Sequence, residues 1–101
     1  MEKRELKIVW LKSCVRDFKD LKEEEFIYVE NKLRRILSNL IQSTSRVEGT
    51  RLRRLRIGKK RLFLGIIEND VCCVGYKYRG DAYNKNKLKE MDRIMKNLFF
   101  K

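Results

Sequence analysis

Partway along this chain the spacing of its apolar residues changes period, and that change dictates a mixed architecture. From Glu23 onward, Phe26, Ile27, Leu33, Ile36, Leu37, Leu40 and Ile41 recur at helical spacing, with Glu30, Lys32, Arg34 and Arg35 between them. This predicts a long amphipathic helix ending near Gln42. A polar stretch over residues 43–50, containing Gly49, interrupts the pattern. Beyond it the period is that of strands, over residues 53–57, 61–67 and 71–78. The connections Gly58-Lys59-Lys60 and Glu68-Asn69-Asp70 are too short for a crossover, so the three strands form an antiparallel meander. From Asn84 the helical period returns in Leu88, Met91, Ile94, Met95 and Leu98, a second amphipathic helix whose stripe must bury against the sheet or a partner.

Residues 6–10 alternate imperfectly and read as a short strand, and Ser13 is placed to cap a helix starting near Cys14. Residues 14–42 then form a helical hairpin with one apolar face, covering one face of the sheet. Trp10, Phe18 and Phe26 read as core. The expected fold is α+β and two-layered: an N-terminal strand, a helical hairpin, a three-stranded antiparallel meander and a C-terminal helix. At 101 residues, all of it belongs to a single domain, 1–101.

The residue inventory narrows the chemistry. There is no histidine, which removes Ser-His, Cys-His and paired-histidine mechanisms and leaves carboxylates, Lys, Tyr or Cys for proton transfer. Cys14, Cys72 and Cys73 are odd in number and lack a histidine to complete a zinc set, so they read as buried reduced thiols, and neither metal nor cofactor is expected. No window approaches the roughly 18 apolar residues of a membrane span. The first residues are charged and no apolar signal region follows them, so a cytoplasmic location without a membrane partner is expected.

The net charge of +12 favours polyanionic partners, and the charge is segregated. The first thirty residues hold eight of the fourteen acids, whereas Arg51, Arg53, Arg54, Arg56, Lys59, Lys60 and Arg61 follow one another with no acid among them. Side chains alternate across a strand. If Leu55, Ile57, Leu62, Leu64 and Ile66 face the hairpin, then Arg54, Arg56, Arg61, Phe63 and Gly65 face away. In the third strand Cys72, Val74, Tyr76 and Tyr78 form the inner set, and Cys73, Gly75, Lys77 and Arg79 the outer one. The prediction is an open cationic face gathered around Gly65 and Gly75. Converging cations repel one another unless an anion binds, and the planar fork of arginine suits phosphate.

The segment Arg54-Leu-Arg-Ile-Gly-Lys-Lys-Arg61, the apolar strand after it, the acidic turn and Val74-Gly-Tyr-Lys-Tyr-Arg-Gly-Asp-Ala-Tyr83 resemble the C-terminal half of the RelE/ParE toxin superfamily. The ribosome-dependent RelE branch fits this stretch without gaps, and the element order matches over essentially the whole chain. The resemblance implies a type II toxin with a cognate antitoxin, an endoribonuclease that cleaves mRNA in the ribosomal A site and inhibits translation. It places catalytic roles at Arg54, Arg61, Lys77 and Tyr83, with Arg61 stabilising the scissile phosphate. Arg51, Arg53, Arg56, Lys59, Lys60 and Arg79 are expected to hold RNA. An antitoxin segment would cover the toxin near the last helix, where Leu98, Phe99 and Phe100 suit a groove.

Two positions depart from the pattern. Leu52 stands where a lysine is expected, and Arg54 replaces another. Arginine does not lose its proton, so Arg54 cannot be a general base. Proton transfer then falls to Tyr83, or to Lys77 if surrounding cations lower its pKa. Two other functions fit the same fold: a ParE-like inhibitor of DNA gyrase, which needs no phosphate site, and an inactive relative that only binds RNA or DNA.

Overall fold

The computed structural model describes residues 5–80 and 84–100. In chain order they form β1 (Lys7–Trp10), α1 (Lys12–Asp17), α2 (Glu23–Ile36), a 3-10 turn (Leu37–Asn39), α3 (Leu40–Ser43), β2 (Ser45–Arg46), β3 (Arg53–Ile57), β4 (Lys60–Ile67), β5 (Asp70–Tyr78) and α4 (Lys85–Phe99). The strands make one five-stranded sheet in the order β1-β5-β4-β3-β2. β3, β4 and β5 form the antiparallel meander, and β1 adds to β5 in parallel. The α+β class and the element order are those the periodicity predicts. β2 is an addition, a two-residue strand in the polar stretch whose Ser45 and Arg46 pair with Arg54 and Arg53.

The predicted hairpin is shorter and more broken than its apolar pattern suggests. Ser13 is not a cap but lies inside α1, and its hydroxyl donates to the Val74 carbonyl at 2.6 Å. β1 ends at Trp10, and α1 takes over its duties along the β5 edge. The Leu11 N–H donates to the Cys73 carbonyl at 3.0 Å, and Asp17 Oδ2 accepts the Tyr76 N–H at 2.9 Å. The Ser13 hydroxyl and the Asp17 carboxylate thus satisfy backbone groups of β5 that a longer strand would have paired. α2 carries Glu23, Glu24 and Glu25 in its first turn and Arg34 and Arg35 in its last, matching the helix dipole at both ends. It stops at Ile36 instead of running to Gln42. Ser38 and Asn39, poor helix formers, occupy the tightened 3-10 turn, which redirects the chain so that Leu40 enters the core. The end of α3 is closed by Arg53, whose guanidinium donates to the Ile41 and Thr44 carbonyls, both at 3.0 Å, and to Thr44 Oγ1 at 2.7 Å.

Two apolar clusters lie on opposite faces of the sheet. The hairpin-side cluster joins Cys14, Phe18, Val29, Leu33 and Leu40 to Leu55, Ile57, Leu62, Leu64, Val71, Cys73 and Tyr76, with Trp10 and Phe26 packed against it. Phe18 stacks on Tyr76 with ring centroids 4.6 Å apart. The second cluster joins Phe63, Cys72 and Val74 to Met91 and Met95 of α4, together with Val47 and Leu52. α4 starts from an Asn84 side chain that accepts the Asn86 and Lys87 N–H groups. The C-terminal helix therefore docks on the sheet and covers the part of the face around Gly65 and Gly75 that was expected to be open.

The parity predicted for β5 holds at one end and fails at the other. Phe63 pairs with Gly75 but Leu64 pairs with Cys73, so Val74 is an extra residue, a β-bulge. Past the bulge the two sides exchange: Cys73 points to the hairpin and Cys72 and Val74 to α4, the reverse of simple alternation. Gly75, Tyr76 and Lys77 keep their predicted sides. The glycines are likewise not the floor of a ligand site. A methyl built on Gly65 would overlap the terminal methyl of Met95, and one on Gly75 would lie 2.5 Å from Met91 Sδ. They admit the methionines of α4, and the cations gather farther along the strands.

The three thiols are free and buried, as expected. Burial, reinforced by Asp17, pushes the Cys14 thiol up to about 12, and burial holds Cys73 far above the usual thiol range. Neither is a nucleophile at neutral pH.

Glu25 ties α2 to the meander. Its Oε2 accepts from Lys60 Nζ at 2.7 Å and from the Tyr76 hydroxyl at 2.8 Å. The hydrogen bond from Lys60 is the main reason its carboxyl lies below the ordinary glutamate value, while burial and the Glu25 carboxylate push the Tyr76 phenol up. A lowered carboxyl contributes stability above the unfolded value of about 4.3 and loses it as pH falls through the folded value. Denaturant midpoints measured from about pH 5 to pH 3 are expected to fall more steeply for the natural chain than for Glu25→Gln, which has no proton to gain there.

Candidate functional site

β3 and β4 are joined by the two-residue turn Gly58-Lys59, whose first residue adopts φ +57°, a conformation glycine reaches without strain. The tight turn sets Arg56 directly opposite Arg61, and the next pairing sets Arg61 opposite Lys77. At this end of the sheet a cleft of about 540 Å³ is lined by Arg56, Gly58, Lys59, Arg61, Tyr78, Arg79 and Gly80. Four of these seven residues are cations and none is an acid.

Arg61 differs from the others in being only 6% exposed. Its Nη1 donates to the Gly58 carbonyl at 3.1 Å and the Lys60 carbonyl at 2.8 Å, so the turn that shapes the cleft also holds the guanidinium. Arg56, Lys59 and Arg79 are exposed around it. A fixed arginine among exposed cations can grip a phosphate in two places while losing little side-chain freedom on binding. In a partly desolvated setting such a cation also stabilises developing negative charge more than it would in water.

The remaining candidates are distributed differently. Arg54 shares the face of Arg56 two pairings farther along, opposite Phe63, and does not line the cleft. Lys77 faces Arg61 by register, but its ammonium turns to α1 and donates to Asp17 Oδ1 at 2.9 Å. There it borders a separate cavity of about 140 Å³ with Ser13, Arg16, Lys87 and Glu90. Its charged partner is thus a carboxylate, where a surround of cations was expected. Lys60 is held by Glu25 and lies over the Tyr76 and Tyr78 rings. Arg53 caps α3. The Arg51 N–H donates to Asp92 Oδ1 at 2.9 Å, and its guanidinium lies 5.6 and 5.0 Å from the ring centroids of Phe99 and Phe100. Tyr83 lies outside the described residues. Leu52, where the RelE pattern has a lysine, is fully buried beneath α4, so that position faces the core.

Sequence reasoning missed Tyr78 as a lining residue of the cleft, although its ring lies on the hairpin side that strand alternation gives it, over the Lys60 ammonium bound to Glu25 of α2. The signal for it was its place at the strand end, next to Arg79. Asp17 and Glu25 were also missed as anchors of Lys77 and Lys60. They act across 60 and 35 positions of sequence, and no local pattern reports that.

No family model matches the sequence, and no curated protein matches it. Among solved structures, a chain from the toxin–antitoxin complex RelBE2 of Mycobacterium tuberculosis superposes with a TM-score of 0.63 at 16% identity, over 74% of this chain and 99% of that one. A chain from the RelB-RelE antitoxin-toxin complex of Methanococcus jannaschii gives a TM-score of 0.59 at 15% identity, over 75% of this chain and 95% of that one. At such identities the likeness is one of fold.

Proposed function

We propose that this chain is the toxin of a toxin–antitoxin pair and acts as a RelE-type ribonuclease, cleaving mRNA in the ribosomal A site. The observation that carries the reading is the cleft in which Arg56, Lys59 and Arg79 surround the buried Arg61, with no acid among its described lining residues. The fold shared with chains of two RelB–RelE-type complexes supports both the toxin role and an antitoxin partner. Cleavage proceeds by attack of a ribose 2′-hydroxyl on the adjacent phosphate. The 2′ oxygen forms a bond to phosphorus, the 5′ oxygen leaves, and a proton must be removed from the first and supplied to the second. Arg61 meets the charge that grows on the phosphate oxygens, and the exposed cations hold the flanking phosphates. Proton transfer falls to Tyr83, since Arg54 cannot give up a proton and Lys77 is engaged by Asp17.

The diversion of Lys77 favours a second reading, a protein that grips RNA without cutting it. Primer extension on mRNA in a reconstituted translation reaction separates the two. Ribosome-dependent cleavage by the intact chain, slowed about 10²- to 10⁴-fold in Tyr83→Phe, is the expected result. RNA binding without cleavage would establish the binder, and an absence of both would sink the RNA reading.

A further inference from the structure

We infer that Asp17 is a built-in competitor for RNA phosphate: its carboxylate withholds Lys77 from the cationic cleft and so weakens the cleft's grip on RNA. The inference rests on reading the cleft as a phosphate site. By its place in the sheet Lys77 belongs with the cleft cations. It pairs directly with Arg61, so the two side chains leave the same face, and Arg79 follows two residues later, where alternation returns to that face. Arg61 and Arg79 both line the cleft, and Lys77 does not. Directly opposed residues on a sheet have Cβ atoms about 5 Å apart, so the long, flexible stem of an unrestrained lysine at this position reaches a phosphate held by Arg61.

One residue sends the ammonium elsewhere. Lys77 Nζ donates to Asp17 Oδ1 at 2.9 Å, with the two side chains only 22% and 18% exposed. The carboxylate is itself held in place, because Oδ2 accepts the Tyr76 N–H at 2.9 Å. A pair this sheltered is screened by salt less than a surface pair, and a partner on the same chain acts at the high effective concentration of any intramolecular contact. Helix stability does not account for an acid here, since Asp17 is the last residue of α1, where the helix dipole disfavours negative charge. The Tyr76 N–H needs an acceptor but no charge. It is Lys77 that uses the charge.

Asp17→Asn keeps an acceptor for the Tyr76 N–H and removes the charge that holds Lys77. Its affinity for a fluorescently labelled oligouridylate of about ten nucleotides, followed by anisotropy across a salt series, is expected to rise about 5- to 10-fold near 0.1 M salt. The slope of log affinity against log salt should steepen by about one, the mark of one added phosphate contact. Lys77→Met alone should leave RNA binding unchanged, and Asp17→Asn combined with Lys77→Met should return to the intact affinity and slope. Thermal melts check that each variant is folded, and Lys77→Met, which leaves Asp17 in place, tests the proposal even if Asp17→Asn does not fold. The competitor is overturned if Asp17→Asn fails to tighten binding, or if the tightening persists in the combined variant, which would assign it to long-range charge. Weaker binding by Lys77→Met alone would also overturn it, because Lys77 would then already be on the RNA. The double substitution Arg56→Ala, Arg79→Ala tests the underlying reading separately and should weaken binding. If it does not, the cleft is not the phosphate site and the inference falls with it.

Discussion

Arg61→Ala is expected to slow ribosome-dependent mRNA cleavage by about 10²- to 10³-fold, the loss typical when one fixed donor to a developing oxyanion is removed. The size of the effect follows from where the guanidinium sits. It is nearly buried, and two carbonyls of its own hairpin turn hold it. It therefore needs little reorganisation to meet the charge that builds on the phosphate during attack. Arg56 and Arg79 are exposed, so their alanine variants should mainly weaken RNA binding, each reducing the slope of log affinity against log salt by about one. Arg61→Lys retains a charge without the planar fork and is expected to recover only part of the lost rate. Primer extension with folded variants checks all of these. A folded Arg61→Ala protein that cuts at the natural rate would move the site elsewhere.

Gly65→Ala is expected to lower stability by about 1–3 kcal/mol, the usual cost of forcing an extra methyl into a filled core. For a chain of this size that corresponds to a fall in melting temperature of about 4–8 °C per kcal/mol. The new methyl would occupy the position of the Met95 terminal methyl, and Met95 is fully buried between α4 and the sheet. Met95→Ala alone should cost about 2–5 kcal/mol by leaving a cavity. Combined, the two changes should be less damaging than their sum, because each supplies what the other lacks, and a double-mutant cycle measures that coupling. Additive costs would show that α4 does not rest on Gly65. The Gly65→Ala protein should still bind RNA below its melting transition, since the cleft is lined by other residues, around the β3–β4 turn.

Much of the fold was legible because it rests on local periodicity. The meander follows from three short alternating runs joined by turns too tight to cross over, and α4 follows from one apolar stripe that the structure buries through Met91 and Met95. Parts of the cleft were legible for the same reason. Arg56 and Arg61 flank a single two-residue turn to which Lys59 belongs, so their proximity follows from the hairpin itself. Local pattern failed where one residue interrupts it. Val74 is an ordinary strand residue in sequence, yet as a bulge it exchanges the sides of Cys72 and Cys73. The 3-10 turn before Leu40 breaks a helix that the apolar spacing alone would have continued to Gln42.

By itself, then, the sequence determined the α+β class, the antiparallel meander and the crowding of arginines at one hairpin turn, because each depends on neighbours a few positions apart. Which cations remain available to a ligand was decided only by tertiary structure. Lys77, Lys60, Arg53 and Arg51 carry the same charge as Arg56 and Lys59, but carboxylates, carbonyls and rings from distant parts of the chain engage them. A cation settles wherever the packed fold brings an acceptor within hydrogen-bonding reach, and that distance belongs to the folded chain and not to the order of its residues.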